Sequence, residues 1–200
     1  MKKGCLGCLG FIVVILVLGG IISAIGGGGS SSMSTSSSSS SAAQEEKVKT
    51  DGLTYEKFVS LQMGATVEDV NKIIGKEGTL DHQNQVGDIE TKSYSWHDGL
   101  ANMTCMFQNG KMVSKAMASF SDLVKIQGDD ITLDQFNQIQ MGTSYEDVSK
   151  ILGREGLLSA QTSIVGQEST IYTWMNKGGA NLSVTFQNGA ATMKNQIGLK

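Results

Sequence analysis

The chain contains the same segment twice, and this internal repeat constrains the possible fold more than any other feature. Residues 64–78 read GATVEDVNKIIGKEG and residues 142–156 read GTSYEDVSKILGREG, identical at 9 of 15 positions. The similarity continues in two shorter motifs: Tyr-x-Trp (94–96 and 172–174) and Phe-Gln-Asn-Gly (107–110 and 186–189). The offset is 78 residues up to the Tyr-x-Trp and 79 afterwards, so one residue is added in a hairpin loop. The repeat predicts two copies of one small fold.

The repeat places module 1 at residues 51–125 and module 2 at residues 129–200. Each module has fewer than 80 residues, and a domain of about 60 residues buries only about 60% of its unfolded surface, so it is marginally stable alone. We therefore expect the two modules to pack together. The chain has 25 Gly and no Pro, so its turns must depend on Gly and Asn.

Each module is predicted to begin with two short helices. In the first helix of module 1, Leu53, Phe58 and Leu61 lie on one face, and in module 2 Thr132 and Gln135 fit a capping box. In the second helix, hydroxyl residues precede two carboxylates, which favour a helix N-terminus. An apolar stripe with helical spacing follows, and a glycine ends the helix in each module. The residues of this second helix are Thr66, Val67, Val70, Ile73, Ile74 and Gly75, and the module 2 equivalents of its ends are Ser144 and Gly153.

After the helices the apolar period changes to two, which predicts strands. Residues 93–96, 103–107 and 182–186 alternate, Asn109-Gly110 favours a two-residue hairpin turn, and a further strand is expected at residues 111–120. We also expect an earlier strand at residues 87–91. The predicted fold class is α+β: two tandem repeats, each a helix-loop-helix packed on an antiparallel sheet of three to four strands.

The N-terminus has the pattern of a membrane segment. Two lysines precede an uncharged apolar run, and a span needs about 17–25 such residues. We predict a cytoplasmic flank at residues 1–8, a transmembrane anchor at 9–29 and a disordered Gly/Ser-rich linker at 30–50, with the modules on the extracytoplasmic side. A cleaved signal peptide is the alternative and would make the protein secreted. Cys5 and Cys8 form a Cys-x-x-Cys without a second ligand pair, so they are interpreted as small apolar boundary residues, with acylation left open.

Composition argues against several functions. From residue 42 onward the net charge is near −5, which disfavours nucleic acid because a basic surface supplies most of that affinity. The two histidines, His82 and His97, are not repeated, and no known nucleophile or phosphate-loop motif is present. The repeated pair Glu68-Asp69 fits helix capping better than acid–base chemistry. We expect no enzyme activity, no cofactor and no metal.

Tyr94 and Trp96 point to the same side of their strand, and the same holds for the Tyr-x-Trp of module 2. They either pack against the helices with Cys105 as core, or lie on the open side of the sheet as interface anchors. The opposite strand faces are small and polar, which favours the core alternative. The candidate partner-binding residues are Tyr94, Trp96, Tyr172, Trp174, Met106, Gln108 and Gln187.

The pattern G-x-[ST]-x-E-D-V-x-K-I-[IL]-G, followed by Tyr-x-Trp and Phe-Gln-Asn-Gly, resembles the tandem-repeat family related to the β-lactamase inhibitor protein, in particular a membrane-anchored branch of Gram-positive bacteria. The helix motif is also similar to the small outer-membrane assembly lipoprotein of Gram-negative bacteria. The resemblance covers residues 53–200. It implies a helix-loop-helix on a four-stranded sheet, repeated, with a concave sheet surface that is rich in aromatic residues in the inhibitors.

Three functions follow as hypotheses. The first is a membrane-tethered extracytoplasmic module that binds a protein partner through its tandem sheet faces, since linked weak sites act together. The second is a structural or assembly accessory of a cell-envelope complex. The third and narrowest is a β-lactamase-inhibitor-like protein.

Overall fold

The computed structural model describes residues 52–118, 126 and 128–200. The predicted flank, anchor and linker at residues 1–50, with Cys5 and Cys8, lie outside these residues. Within the described ranges, no helix has the length and apolarity that crossing a membrane requires.

The two repeats have the same order of elements. The first contains α1 (Tyr55–Ser60), α2 (Val67–Ile74), β1 (Thr79–Val86), β2 (Ile89–Asp98), β3 (Ala101–Gln108) and β4 (Lys111–Ala118). The second contains α3 (Leu133–Gln138), α4 (Tyr145–Leu152), β5 (Leu157–Ile164), β6 (Gln167–Met175), β7 (Asn181–Gln187) and β8 (Ala190–Ile197). The eight strands form one antiparallel sheet in chain order from β1 to β8. Each repeat therefore contributes two helices and four strands, as the α+β expectation requires.

Local capping explains the helix ends. The Thr66 hydroxyl accepts a hydrogen bond from the backbone of Asp69, whose carboxylate accepts one in return from the backbone of Thr66. Thr132 and Gln135 form the predicted capping box. Gly75 ends α2 in the left-handed conformation, with φ of 82°, which glycine adopts without a steric cost. The helix boundaries therefore follow from short-range chemistry.

The strand prediction at residues 87–91 is wrong. Val86 pairs with Ile89 across a two-residue turn, and Gly87 has φ of 60°, so the predicted strand straddles a hairpin turn. The actual strand, β1, is exposed at all eight positions and so carries no apolar alternation that would identify it. The Asn109-Gly110 hairpin is confirmed: both residues have positive φ, and Gln108 pairs with Lys111.

The helices cover one face of the sheet and form the core there. In the first repeat the α1 and α2 side chains pack on β2, β3 and β4, and Cys105 lies in this core as predicted. The buried members are Leu53, Phe58, Leu61, Val70, Ile74, Trp96, Ala101, Met103, Cys105, Phe107, Met112, Met117 and Leu158. A second core, in the second repeat, contains Ile131, Ile139, Val148, Leu152, Trp174, Leu182, Val184, Phe186, Ala191 and Leu199.

The repeats are joined by a short ladder between β4 and β5. Three residue pairs make it up: Ser114 with Thr162, Lys115 with Gln161, and Ala116 with Ala160. Leu158, from the second repeat, is part of the core of the first. The prediction that the modules pack together is confirmed, and the contact merges two four-stranded sheets into one.

Candidate functional site: the open sheet face

The sheet has one face that no helix of the described residues covers. Along β3 the exposures alternate between buried residues, which face the helices, and half-buried residues, which face away. The pairing register extends this alternation to the neighbouring strands. We call the central part of this side the open face; it consists of Ser93, Ser95, Asn102, Thr104, Met106, Gln108, Ser114, Ala116, Ala160, Thr162, Ser169, Ile171, Thr173, Ser183, Thr185 and Gln187.

The open face is continuous across the two repeats, and its centre is made of small side chains. At the junction the Ser114 and Thr162 hydroxyls lie 3.2 Å apart and share a hydrogen bond. In the same cross-strand row, Met106 lies on one side of this pair and Gln187 on the other. The two junction side chains are short and buried, at 9% and 8% exposure, and longer side chains stand on both sides of them in the row.

Uncharged polar groups dominate this surface. A carboxylate beside it, that of Asp81, lies at the β1 bulge and accepts a hydrogen bond from the Ser95 hydroxyl at 3.0 Å. Two buried polar atoms of the face, Asn102 Oδ1 and Ser169 Oγ, have no hydrogen-bond partner within the described part of the chain. Because the side chains of the open face are uncharged, a chain docked there would desolvate few charges, and such desolvation is costly in an interface.

The two tryptophans lie on the helix side, as the core alternative predicts. Trp96 and Trp174 are 1% and 2% exposed. The Trp96 indole donates to Asn71 Oδ1 and to the Lys76 carbonyl, both at 3.1 Å, and a buried indole N–H normally requires such a partner. The alternative in which these side chains form an outward patch is wrong, because a partner cannot reach them in the folded chain.

Tyr94 and Tyr172 also lie on the helix side, but they are only partly buried. Tyr94 contacts Phe107 edge-on, with 5.7 Å between ring centroids. Tyr172 packs against both cores, and its ring lies at a tilt to that of Tyr145, with 4.2 Å between the ring centroids. These contacts assign both tyrosines to packing rather than to the open face. Of the seven candidates, Met106, Gln108 and Gln187 are the ones that the sheet brings to the open face, and their binding role stays a prediction.

The repeated carboxylates serve as helix caps. Hydrogen bonds from the backbone and hydroxyl of Thr66 lower the pKa of Asp69. The Lys150 ammonium and the Ser144 hydroxyl lower the pKa of Asp147. A lowered pKa favours the ionised form, which is the opposite of what a general acid at neutral pH requires. Across the described ranges, no three His, Cys, Asp or Glu side chains are grouped as metal ligands.

Comparison with known proteins agrees with this architecture. The profile of the family described as Beta-lactamase inhibitor (BLIP) matches residues 54–139 and 132–200, one match for each repeat. The chain belongs to the beta-lactamase inhibitor family. A Streptococcus mutans protein, provisionally described as a beta-lactamase inhibitor protein, has a similar crystal structure, with 20% identity and a TM-score of 0.56. The match covers 75% of this chain and 92% of that one, and at this identity it supports the fold alone. No curated protein matches the sequence.

A buried lysine, which was not predicted from the sequence, caps the first helix of this beta-lactamase inhibitor-family chain. Lys115 is 1% exposed, and its ammonium donates to the carbonyls of Phe58, Val59 and Leu61 at 3.0, 3.1 and 2.7 Å. These carbonyls belong to the C-terminal end of α1, where backbone acceptors lack helical partners. Burial lowers the pKa of Lys115 to about 8.

The second repeat contains an equivalent of this lysine. Lys194, 79 residues further on, donates to the carbonyls of Phe136 and Ile139, both at 2.8 Å. Its ammonium lies 4.4 Å from the centre of the Phe136 ring, and that of Lys115 lies 5.0 Å from the Phe58 ring. A lysine stands at the same position of the last strand in both repeats. This repetition is the sequence signal from which the lysine cap at the C-terminus of each first helix could have been predicted.

Proposed function

We propose that this protein is a non-catalytic binding protein that engages a protein partner through the open face of both repeats. The observation that carries the proposal is a polar sheet surface that no helix of the described ranges covers and that continues across the β4–β5 junction. Membership in a family of protein inhibitors supports both a protein partner and the absence of catalysis. Since Met106 and Gln187 come from different repeats, a partner that spans the β4–β5 junction would contact both.

We further propose that the modules are tethered to the cell membrane by residues 9–29 and lie on its extracytoplasmic side. The support is the sequence pattern alone: two lysines stand directly before the apolar run, and no charged residue directly follows it. A flexible chain of about 25 residues has a reach of about 25–30 Å, so the Ser-rich linker would hold the modules off the membrane surface.

The test is capture of partners from cells by the tagged full-length protein. A variant carrying Met106→Arg and Gln187→Arg places two bulky charges on the open face, where both native side chains are at least partly exposed. We expect the captured partner to fall by about tenfold or more, because charges desolvated in an interface without partners cost several kcal/mol. The measurement is quantitative mass spectrometry of crosslinked complexes.

The matched control is Val59→Arg with Ile73→Arg, two exposed apolar positions on the helix side. This variant adds the same charge to the opposite face, so we expect capture to be unchanged. If the control loses the partner while the open-face variant retains it, the binding surface lies on the helices and the proposal is wrong.

Inhibition of a β-lactamase is the second candidate function, and the family assignment favours it. One observation separates this chain from the aromatic-rich surface that the resemblance implied: the sixteen residues that define the open face include no Tyr, Trp or Phe. We expect the full chain, at micromolar concentration, to slow at most a few members of a β-lactamase panel in a substrate-hydrolysis assay. Inhibition that the Met106→Arg, Gln187→Arg variant relieves would establish this candidate, and no inhibition across the panel would remove it.

A further inference from the structure

The junction between the repeats shows how two strand edges of this fold meet. β4 is the last strand of the first repeat and β5 the first strand of the second, and they pair through three residues each. The sheet ends in the same two kinds of strand: β1, a first strand, at one edge and β8, a last strand, at the other. Each free edge is therefore the equivalent of a strand edge of the other repeat that is paired inside the chain: β1 corresponds to β5, and β8 corresponds to β4.

Residues of β1 are more exposed than the equivalent residues of β5. Leu158 of β5 is 8% exposed because it enters the core of the first repeat at the junction. Its equivalent 78 residues earlier, Leu80 of β1, is 46% exposed. The same difference holds for Ala160, which is buried, and His82, which is exposed. β1 is thus the copy of a strand that is covered elsewhere in the molecule, while no element of the described residues covers its own outer edge.

Each residue of the β4–β5 ladder has an equivalent in the other repeat, 79 residues later for β4 and 78 residues earlier for β5. Replacing the residues by these equivalents gives a specific pairing of β8 with β1. Ser114, Lys115 and Ala116 correspond to Met193, Lys194 and Asn195, and Thr162, Gln161 and Ala160 correspond to Asn84, Gln83 and His82. The pairing of β4 with β3 and of β8 with β7 supports the first correspondence. Lys115 pairs with Cys105, and Lys194 pairs with Val184, which is the residue 79 positions after Cys105. The ladders with β2 and β6 agree with the second, since His82 pairs with Ser93 and Ala160 with Ile171.

We propose that the occupant of the β1 edge is β8 of a second copy of this chain, in the register of the β4–β5 junction. In this head-to-tail contact Asn195 pairs with His82, Lys194 with Gln83 and Met193 with Asn84. None of these pairs opposes like charges, which would destabilise adjacent strands. The backbone groups of a free edge are a ready template for such pairing, and no new backbone conformation is needed.

The contact involves a different surface from the open face and goes beyond the proposed function. Because the two edges differ, the interface is heterologous, and repeated addition gives a ring or an open filament. Each added copy extends the sheet by eight strands and repeats the open face alongside the previous one. A row of such faces would bind a repetitive partner with higher avidity than one copy.

Disulfide crosslinking of two differently tagged full-length copies tests the register. In both copies Cys5→Ser and Cys8→Ser remove the thiols that precede the modules, while Cys105 is buried. One copy then carries His82→Cys and the other Asn195→Cys. We expect mixed disulfide dimers to exceed those of either copy alone by about tenfold, since directly paired strand residues fall within the Cα separation that a disulfide requires.

The matched control exchanges His82→Cys for Gln83→Cys, which moves the thiol to the other face of the strand and should abolish the crosslink. Dimers of His82→Cys with itself would show that β1 pairs with β1, and the proposal would be wrong. Absence of any crosslink, together with a monomeric mass by light scattering across the concentration range, would also overturn it.

A second variant separates association from folding. Leu80 is largely exposed in the single chain, so Leu80→Asp should leave the unfolding midpoint nearly unchanged while it places a charge where the neighbouring copy would pack. We expect the variant to lose concentration-dependent association. Unaltered association of a folded Leu80→Asp variant would contradict the proposed edge contact.

Discussion

Replacing Gly78 with alanine is expected to lower the free energy of unfolding by about 3 kcal/mol, the upper part of the range for overpacked cores. A Cβ atom at this position would lie 2.5 Å from Cζ2 and 2.6 Å from Cε2 of Trp96. The φ of Gly78 is not in the left-handed region, so the effect is steric rather than conformational. The indole is buried, with 1% of its surface exposed, and two hydrogen bonds, to Asn71 and Lys76, hold it in place.

Urea unfolding of the full chain, followed by circular dichroism, measures this effect. Gly178→Ala is the matched control, because its Cβ meets nothing within 4 Å and its φ is not positive; we expect a change within about 0.5 kcal/mol. Trp96→Phe removes the ring that the new methyl would strike. The double variant Gly78→Ala, Trp96→Phe should therefore be more stable than the sum of the single changes implies, and strict additivity would contradict the steric explanation.

The same contact recurs in the second repeat, which explains why both elements of it are repeated in the sequence. A Cβ atom on Gly156 would lie 2.6 Å from Cζ2 of Trp174. The final glycine of the repeated helix segment and the tryptophan of Tyr-x-Trp thus form one packing unit, in which the indole lies against the glycine backbone. The sequence displays both residues but not their contact, because they are 18 positions apart.

The parts of the fold that the sequence predicted are those set by short-range chemistry. The capping box at Thr132, the left-handed Gly75 and the Asn109-Gly110 turn each depend on residues within a few positions of one another. The repeat itself then predicted two equal modules. β1 was missed because an edge strand exposed on both faces need not alternate between apolar and polar residues.

The candidate site was less predictable, since it depends on which side of the sheet the helices occupy. Periodicity showed that Tyr94 and Trp96 share a face but not which face, and only the contrast with the polar residues opposite favoured the core. The pairing of Ser114 with Thr162 at the junction could not be predicted from the sequence. Neither residue belongs to the repeated motifs, and the two positions are 48 residues apart.

Lys115→Met is expected to destabilise the protein by about 3 kcal/mol. The side chain keeps a similar length but donates no hydrogen bond, so the carbonyls of Phe58, Val59 and Leu61 lose their shared donor in a buried site. An unsatisfied buried acceptor costs about 1–3 kcal/mol. Lys194→Met is the matched variant: it removes two such bonds at a half-buried position, where water can replace the donor, and should cost about 1 kcal/mol.

The stability deficit of Lys115→Met is the amount by which its free energy of unfolding falls below that of the native protein. The pH dependence of this deficit distinguishes a buried ammonium from an ordinary surface lysine. Burial lowers the pKa of Lys115 from 10.5 to about 8, so between these values the unfolded chain binds more protons than the folded chain. The free energy of unfolding of the native protein therefore gains a contribution that rises with pH across this window and is constant below it. The Lys115→Met variant lacks this contribution, and its deficit should widen between pH 8 and pH 10.

The titration of two other groups leaves this comparison unchanged. Burial raises the pKa of the Cys105 thiol to about 12, and Tyr145, whose pKa burial and the Glu155 carboxylate also raise to about 12, is present in both proteins. Urea unfolding of the native chain and of Lys115→Met at pH 7.5 and pH 9.5 measures the change in deficit. A deficit that narrows with rising pH would mean that the three carbonyls hold the proton more strongly than burial releases it, and that Lys115 serves as a permanently charged cap of α1.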